Sequence, residues 1–253
     1  MRIRIKFSKT GKIRWTSHRD VARMWERAFR RTDLPLAYSV GFSPRPKVSF
    51  GLALSTGHES VAEYLDLELD PDRVDGLDIA VLPSRLSAAL PDGIEVLDAH
   101  TIEDRHDSLQ HEVTSTTFEV VAAGAALGQM QDLVAAALAA DAIIITRTRK
   151  GRPAEDDVRP AILSVTVLDE VLVEGVDDRP CVRFTAELAT QPRGLRPAEL
   201  LTALSPELEE VRVRRTHQWI SRADGARVEP LSELDPPDAF GEPPAPLQLE
   251  PVS

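Results

Sequence analysis

The chain has 253 residues, of which 42% are hydrophobic and 28% charged, and its formal net charge is −11. This composition is typical of a folded protein with one large or two small domains and argues against wholesale disorder. The single cysteine, Cys181, excludes a disulfide framework or an iron–sulfur cluster built from this chain alone, and we expect it to fill the core. The amino-terminal residues lack the apolar run of a signal peptide or membrane anchor, which predicts a soluble, cytoplasmic protein.

The charge is unevenly distributed along the chain. Residues 1–50 contain thirteen Lys or Arg residues against three acidic residues, which leaves a formal charge of +10. Because the whole chain carries −11, the other 203 residues carry −21. A polyanion would be repelled by the protein as a whole, so any such contact must be local to the first section and sensitive to salt.

The first elements have clear patterns. Residues 2–7 alternate basic and apolar side chains, the period of a strand with one buried face. A short extended piece follows at residues 13–15. The stretch Ser17 to Asp20 then matches a capping box, which predicts the start of a helix with Trp25 and Phe29 on its apolar stripe.

The remaining elements suggest that the chain repeats one unit. The first half continues with predicted strands at 36–40, 48–54 and 62–69, a helix opened by Pro83, and a strand at 94–99. The second half has the same order, with strands at 118–121, 142–147, 162–173 and 182–188, a helix at 127–140, and a Pro197 helix before the last strand. Each half approximates the order β-α-β-β-α-β, so the predicted fold class is α+β with tandem ferredoxin-like (split βαβ) units.

These patterns predict three segments. Residues 1–112 form the first ferredoxin-like unit, with a basic surface, and residues 113–228 form the second. Residues 229–253 contain seven prolines and six acidic residues with no Lys or Arg, which predicts an acidic, proline-rich, disordered tail.

The predicted first helix carries arginines at spacings of three and four, opposite its apolar stripe: Arg19, Arg23, Arg27, Arg30 and Arg31. Such a row suits phosphate oxygens, because each planar guanidinium can donate two parallel hydrogen bonds. Lys12, Arg14 and Ser17 precede the row, and only Asp20 and Glu26 on the helix offset its charge. We interpret the row as a surface that binds RNA or a partner protein; an ordinary solvated helix face is the alternative.

A stiff loop, Gly41 to Lys47, follows the helix and contains two prolines. Phe42, Arg45 and Lys47 in this loop, with Tyr38 just before it, could stack a base and hold its phosphate. The alternative is that Phe42 is a core residue and that the prolines only shape a corner.

Evidence for catalysis is sparse in this sequence. His18 lies at the predicted helix start, where the positive end of the helix dipole favours a neutral imidazole, so it is a weak candidate for a general base or else a structural residue. No histidine pair has metal-ligand spacing, and we expect neither a metal site nor a cofactor. The acidic residues Glu59, Glu63, Asp66 and Glu68 are interpreted as the solvent face of a strand.

The stretch from Arg2 to Leu69 resembles a bacterial family of unknown function, the radical SAM-associated or radical SAM-linked proteins. The resemblance is carried by KxGKIRWxSHRD at 9–20, AFRR at 28–31, LPLAYSVGFSPRPKVSF at 34–50 and ESVAEYLD at 59–66. Members of this family are usually encoded beside, or fused to, a B12-binding-type radical SAM protein. The resemblance therefore implies a partner, acting in trans, that carries the iron–sulfur cluster.

Three functions follow from these observations. The leading hypothesis is a non-catalytic accessory protein of a radical SAM enzyme that presents RNA or a translation-related substrate through its basic amino-terminal surface. The second is a metal-independent RNA-directed enzyme with His18 as base, analogous in fold pattern to the RAMP endoribonucleases. The third is a protein-interaction module whose basic face meets an acidic partner.

Overall fold

The computed structural model describes residues 1–102, 108–149, 151–173, 179–222 and 224–231. In chain order its strands and α-helices are β1 (Arg2–Lys9), α1 (His18–Arg31), β2 (Val48–Phe50), β3 (Glu59–Glu68), α2 (Leu82–Ser87), β4 (Val96–Ile102), α3 (Leu109–Glu112), β5 (Ser115–Ala123), α4 (Leu127–Ala139), β6 (Ile144–Arg149), β7 (Arg152–Asp157), β8 (Ile162–Val171), β9 (Cys181–Ala189), α5 (Pro197–Leu204), β10 (Glu209–Ser221) and β11 (Arg227–Val228). Among the described residues, no helix is long and apolar enough to cross a membrane.

Among the described residues, the first compact unit comprises residues 1–102, 108–113, 215–222 and 224–231. Its sheet has the order β4-β1-β3, β2 pairs with β3, and β10 also lies next to β3. Strands and helices follow the order β1-α1-β2-β3-α2-β4, as in a ferredoxin-like unit. The α+β prediction is therefore confirmed.

The core of this unit lies on one face of the sheet. The alternating side chains Ile3 and Ile5 of β1 pack with Trp25 and Phe29 of α1 and with Leu86 of α2. Pro83 lies in the first turn of α2, as its tolerance at that position predicts. The apolar stripe of α1 therefore fixes which side of the helix faces water.

The second compact unit contains Thr114–Arg214 among the described residues. Its strand order is β10-β5-β9-β8, which has the same topology as the β4-β1-β3-β2 order of the first unit. The predicted strand at 142–147 was expected in this sheet, but β6 pairs with β7 in a separate hairpin. Gly151 lies in the left-handed region at φ +77° where this hairpin turns.

Other local predictions need correction. Residues 13–15 belong to a 3₁₀ turn, Gly11–Trp15, rather than to an extended piece. The predicted strand at 36–40 is reduced to isolated bridges at Leu36 and Tyr38, and the predicted strand at 48–54 to the three residues of β2. The prolines in this stretch lack amide donors, so a continuous ladder cannot form.

The carboxyl-terminal prediction is wrong at its boundary. Residues 215–222 and 224–231 belong to the first unit, although residues 113–228 were assigned to the second. Glu229 to Leu231 therefore pack on the first unit rather than begin a tail. Leu231 is buried with Tyr64 and Leu109. The rest of the predicted tail, residues 232–253, lies outside the described residues.

Candidate functional site

The arginine face of α1, formed by Arg19, Arg23, Arg27, Arg30 and Arg31, is exposed along the whole helix. The helix begins as predicted, because Ser17 Oγ accepts a hydrogen bond from the amide of Asp20 at 3.2 Å. Buried Val21, Trp25, Ala28 and Phe29 fix the rotation of the helix. Ser17 was predicted to be part of the binding surface, and the structure shows that its hydroxyl is used as the helix cap.

Most of this positive charge is not neutralised locally. Arg23 approaches Asp20 at 3.3 Å, and Arg31 donates to the carbonyl of Ala89 at 3.3 Å. In the described part of the chain, Arg19, Arg27 and Arg30 have neither a hydrogen bond nor an ion pair through their guanidinium groups. Exposed pairs such as Arg23–Asp20 contribute little, about 0–1 kcal/mol, so the whole face can exchange water for anionic oxygens.

Several other basic residues of the first section are paired inside the unit. The buried side chain of Arg4 forms ion pairs with Asp66 at 2.8 Å and with Glu112 at 2.9 Å. Arg2 also contacts Asp66, at 2.9 Å. Lys6 pairs with Glu229 at 2.7 Å. The sequence charge of the first fifty residues therefore overstates the basic surface, which is concentrated on α1.

The interpretation of the acidic strand residues as a solvent face is wrong. Asp66 is 2% exposed, and Glu59 and Glu63 are also buried. Only Glu68 is partly exposed, and it pairs with Lys47 at 2.6 Å. A buried charge requires a partner of opposite sign, and each of the three buried carboxylates has a cationic partner.

The segment before α1 adds one cation and one aromatic ring. Lys12 is exposed, whereas Arg14 is partly buried and approaches Glu59 at 3.5 Å. The Arg14 guanidinium also lies over the ring of Trp15, 5.3 Å from its centre. Trp15 is 65% exposed and was missed by sequence reasoning, although an aromatic residue between basic ones was a usable signal.

The proline loop, residues 38–47, is closed like a hairpin. The amide of Ser39 donates to the carbonyl of Arg45 at 2.9 Å, and the amide of Lys47 donates to the carbonyl of Ala37 at 2.9 Å. Phe42 lies at the tip and is fully exposed, as is Val40. The alternative reading of Phe42 as a core residue is therefore wrong.

A cleft of about 380 Å³ lies between the end of α1 and the proline loop. Arg30 and Glu26 line it from the helix, and Tyr38 lines it from the loop. The structure therefore brings one arginine of the helix and one aromatic residue of the loop to the same cavity. Sequence reasoning had predicted both residues but had not placed them together.

His18 lies on the surface at the other end of α1. Its ring meets the ring of Phe50 edge-on, with centres 5.4 Å apart. It also borders a small cavity with Lys9 and Glu63, large enough for about one water molecule. Among the described residues, no hydrogen bond or ion pair orients the His18 imidazole.

Lys9 and Arg215 are buried polar residues that the sequence analysis did not select. Lys9 is 3% exposed and donates to the carbonyls of Arg14 and Thr16, each at 3.1 Å. Burial lowers the pKa of its ammonium group. Arg215 Nε donates to Glu63 at 3.1 Å, and its Nη2 donates to the carbonyl of Leu52 at 2.8 Å.

Replacing Arg215 with Met should lower the free energy of unfolding by about 3 kcal/mol, because the buried Glu63 carboxylate loses its hydrogen-bonded partner. Denaturant unfolding measures this loss. The double variant Glu63→Gln/Arg215→Met removes the charge as well and should recover part of the stability. A loss below about 1 kcal/mol for the single variant would show that the pair is solvated rather than buried.

The potential metal ligands do not converge in the part of the chain that is described, where no three His, Cys, Asp or Glu residues form a group able to hold a metal ion. Cys181 is fully buried beside Val121 and Ala123, and burial raises the pKa of its thiol. Its predicted place in the core is confirmed.

Comparison with known proteins identifies a family without a described activity. Residues 2–197 match the family described as an uncharacterized protein conserved in bacteria, DUF2344. No curated protein matches the chain.

Three solved structures have a partly similar fold. The first is a chain of a Cbf5–Nop10–Gar1 complex, with a TM-score of 0.46 and 11% identity over 85% of this chain and 48% of that one. The second is a chain of the archaeal box H/ACA sRNP Nop10–Cbf5 complex, with a TM-score of 0.44 and 9% identity over 85% of this chain and 47% of that one. The third is a chain of an H/ACA RNP bound to a substrate RNA containing 2′-deoxyuridine, with a TM-score of 0.42 and 11% identity over 85% of this chain and 47% of that one. The chain thus spans about half the length of these structures. Structural similarity at this level does not indicate a shared function.

Proposed function

The chain belongs to the DUF2344 family of uncharacterized bacterial proteins, and from this premise we propose that it is an accessory protein that binds single-stranded RNA through the arginine face of α1. The observation that carries the proposal is the exposure of that face. Three of its five guanidinium groups, those of Arg19, Arg27 and Arg30, have no partner among the described residues. Each can therefore bind a phosphate without first breaking a protein contact.

The exposed tip of the proline loop supports RNA rather than a purely ionic partner. Phe42 offers both faces of its ring to a ligand, and Arg45 on the same loop is exposed. Aromatic rings combined with cations are the usual means by which proteins hold unpaired bases and their phosphates. Val40 is a second exposed apolar side chain of the same loop.

The accessory character of the protein is also part of the proposal. Iron–sulfur clusters are held by several cysteine thiolates, and this chain has only the buried Cys181. The resemblance to the radical SAM-linked proteins suggests that a separate radical SAM enzyme supplies the cluster and that this chain presents the RNA or translation-related substrate. Affinity capture from native cells, with bound protein and RNA both identified, tests this part of the proposal.

Replacing Phe42 with Ala should weaken binding to single-stranded RNA by about tenfold, because base stacking on an aromatic ring contributes about 1–3 kcal/mol. The unfolding midpoint should not change, since the ring contacts no core. Fluorescence anisotropy with a labelled oligonucleotide measures the affinity.

The matched control is Leu172→Ala, which removes another highly exposed apolar side chain, in the second unit. Its affinity should equal that of the unmodified protein. Equal losses in both variants, or no loss in Phe42→Ala, would contradict a stacking role for the loop. If the unmodified chain binds no RNA at low salt, the proposed function fails and a protein-interaction module becomes the better account.

One observation favours a second candidate, an RNA-directed enzyme that does not use a metal. His18 is exposed on the surface beside the arginine face and borders the cavity that Lys9 and Glu63 also line. An imidazole next to bound phosphates could act as a general base. RNA turnover that is lost in His18→Ala while binding persists would distinguish this enzyme from an accessory protein.

A further inference from the structure

We propose that the cleft at the end of α1 binds one unpaired guanine base of the RNA. The inference rests on the proposed function, because the arginine face would bring the RNA strand to the cleft. It adds to that function a preference for single strands that contain guanine. Arg30 belongs to both the arginine face and the cleft, so a strand that runs along the face reaches the cavity directly.

The walls of the cleft suit a flat ring. Tyr38 presents a half-exposed aromatic side chain, and the rings of Pro44 and Pro46 line the cleft from the other arm of the same loop. Buried Phe29 and Leu36 supply apolar surface. A volume of about 380 Å³ falls in the range of small-ligand sites and is too small for a double helix. These features explain how a base is held but do not discriminate among bases.

Glu26 is the residue of the cleft that can distinguish one base from another. Glu26 lines the cleft, and its carboxylate forms no hydrogen bond or ion pair within the described part of the chain. The other acidic residue of the cleft, Asp33, lies 3.7 Å from the guanidinium of Arg73. An ionised carboxylate only accepts hydrogen bonds, so Glu26 selects a base edge that presents donors.

Guanine is the base that fits this requirement. Its Watson–Crick edge presents two adjacent donors, N1–H and the N2 amino group, which match the two oxygens of one carboxylate. Adenine and cytosine present a ring-nitrogen acceptor beside their amino group, and that acceptor would face a carboxylate oxygen. In a duplex the same edge is already paired, so only an unpaired guanine can bind in this way.

The charges at the rim complete the site. Arg30 has no partner among the described residues, and Arg73 holds Asp33 only weakly, at 3.7 Å on an exposed surface. Both arginines line the cleft, so their guanidinium groups can bind the phosphates on either side of the bound nucleotide. The cleft therefore provides a stacking ring, an acceptor for the base edge and donors for the backbone.

The test compares full-length protein with four single-stranded oligonucleotides: uridine throughout, or uridine with one central guanosine, inosine or adenosine. Inosine keeps N1–H but lacks the N2 amino group. We expect the guanosine oligonucleotide to bind about tenfold more tightly than the other three, because only guanine can make a bidentate contact to the carboxylate. Glu26→Gln should abolish this preference, because the amide nitrogen cannot accept a hydrogen bond. The loss of a negative charge beside the arginines should at the same time slightly strengthen binding to the all-uridine strand.

The matched control is Glu155→Gln, at an exposed glutamate of β7 in the second unit, and it should keep the preference for guanosine. Thermal unfolding should be the same for both variants because both side chains are exposed. Equal binding of all four oligonucleotides, or a preference that survives Glu26→Gln, would overturn the guanine site and leave the proposed function intact. Absence of binding to every oligonucleotide would overturn both.

Discussion

Replacing Arg23 and Arg27 with Glu should weaken binding to single-stranded RNA by more than tenfold at about 0.1 M salt, because two phosphate-binding cations become two repelling anions. The dependence of log K on log salt should flatten by about 1.4, since the slope for single strands is about −0.7 for each phosphate contact. Both side chains are exposed, while Val21, Trp25 and Phe29 on the buried side are unchanged. Folding should therefore survive the substitution, and anisotropy titrations at several salt concentrations measure both effects.

The control for this variant must change charge equally without disturbing the fold. Arg179 and Arg183 are unsuitable, because Arg179 pairs with Glu209 at 2.8 Å and Arg183 pairs with Asp169 at 2.6 Å. Arg152 and Arg196 are exposed, and their side chains form no ion pair among the described residues. The double variant Arg152→Glu/Arg196→Glu should bind RNA nearly as well as the unmodified chain.

Two results would contradict the proposed role of α1. Equal losses in the two double variants would mean that total charge, rather than the arginine face, governs RNA binding. A lower affinity with an unchanged salt slope in Arg23→Glu/Arg27→Glu would mean that these arginines do not release counterions from the RNA.

Removing the chain after Val228 should lower the unfolding midpoint by several degrees. The deletion removes Leu231, which is buried against Tyr64 and Leu109, and loss of a buried leucine side chain costs about 2–5 kcal/mol. It also removes the Pro230 carbonyl that accepts from Arg4 and the Glu229 carboxylate that pairs with Lys6. Arg4 is buried, so the lost acceptor leaves a donor without compensation. Calorimetry of the shortened chain measures the shift.

The position of the cut distinguishes docking of residues 229–231 from a general effect of shortening the chain. A chain that ends at Leu231 keeps all of these contacts and should unfold at nearly the same temperature as the full chain. Leu231→Ala in the full chain should reproduce much of the loss. An unchanged midpoint for the chain that ends at Val228 would show that these contacts contribute nothing to stability.

Local sequence patterns predicted the elements of the site well. The hydroxyl of Ser17 and the acidic residue three positions later placed the start of α1, and helical spacing placed Trp25 and Phe29 inside and the arginines outside. The α+β class followed from the order of strand and helix patterns, which is local information as well. Such patterns depend on the chain's own periodicity and need no knowledge of distant contacts.

Long-range pairing could not be predicted in the same way. Asp66 looked like a solvent-facing residue because strand alternation shows which residues share a face but not what covers that face. Arg4, Glu112 and Pro230 cover it from distant positions in the chain. Leu231 was hidden for the same reason, because a single apolar residue in an acidic, proline-rich stretch gives no periodic signal.

The exposed tip of the proline loop could not be predicted from the local sequence either. Phenylalanine side chains are usually buried, yet Phe42 is fully exposed. The hydrogen-bonded arms of the loop hold its tip away from the core. Nothing in the local pattern separates a core phenylalanine from one displayed on a loop. The cleft between Arg30 and Tyr38 likewise depends on how the loop folds against the helix.

Ultraviolet crosslinking of the full-length chain to single-stranded RNA, followed by mass spectrometry of the crosslinked peptides, tests the central claim most directly. It reports where RNA lies on the unmodified protein and does not depend on any substitution. We expect crosslinks within residues 18–47, above all at Tyr38 and Phe42, whose rings are exposed. Crosslinks confined to the second unit, or none at low salt, would contradict it.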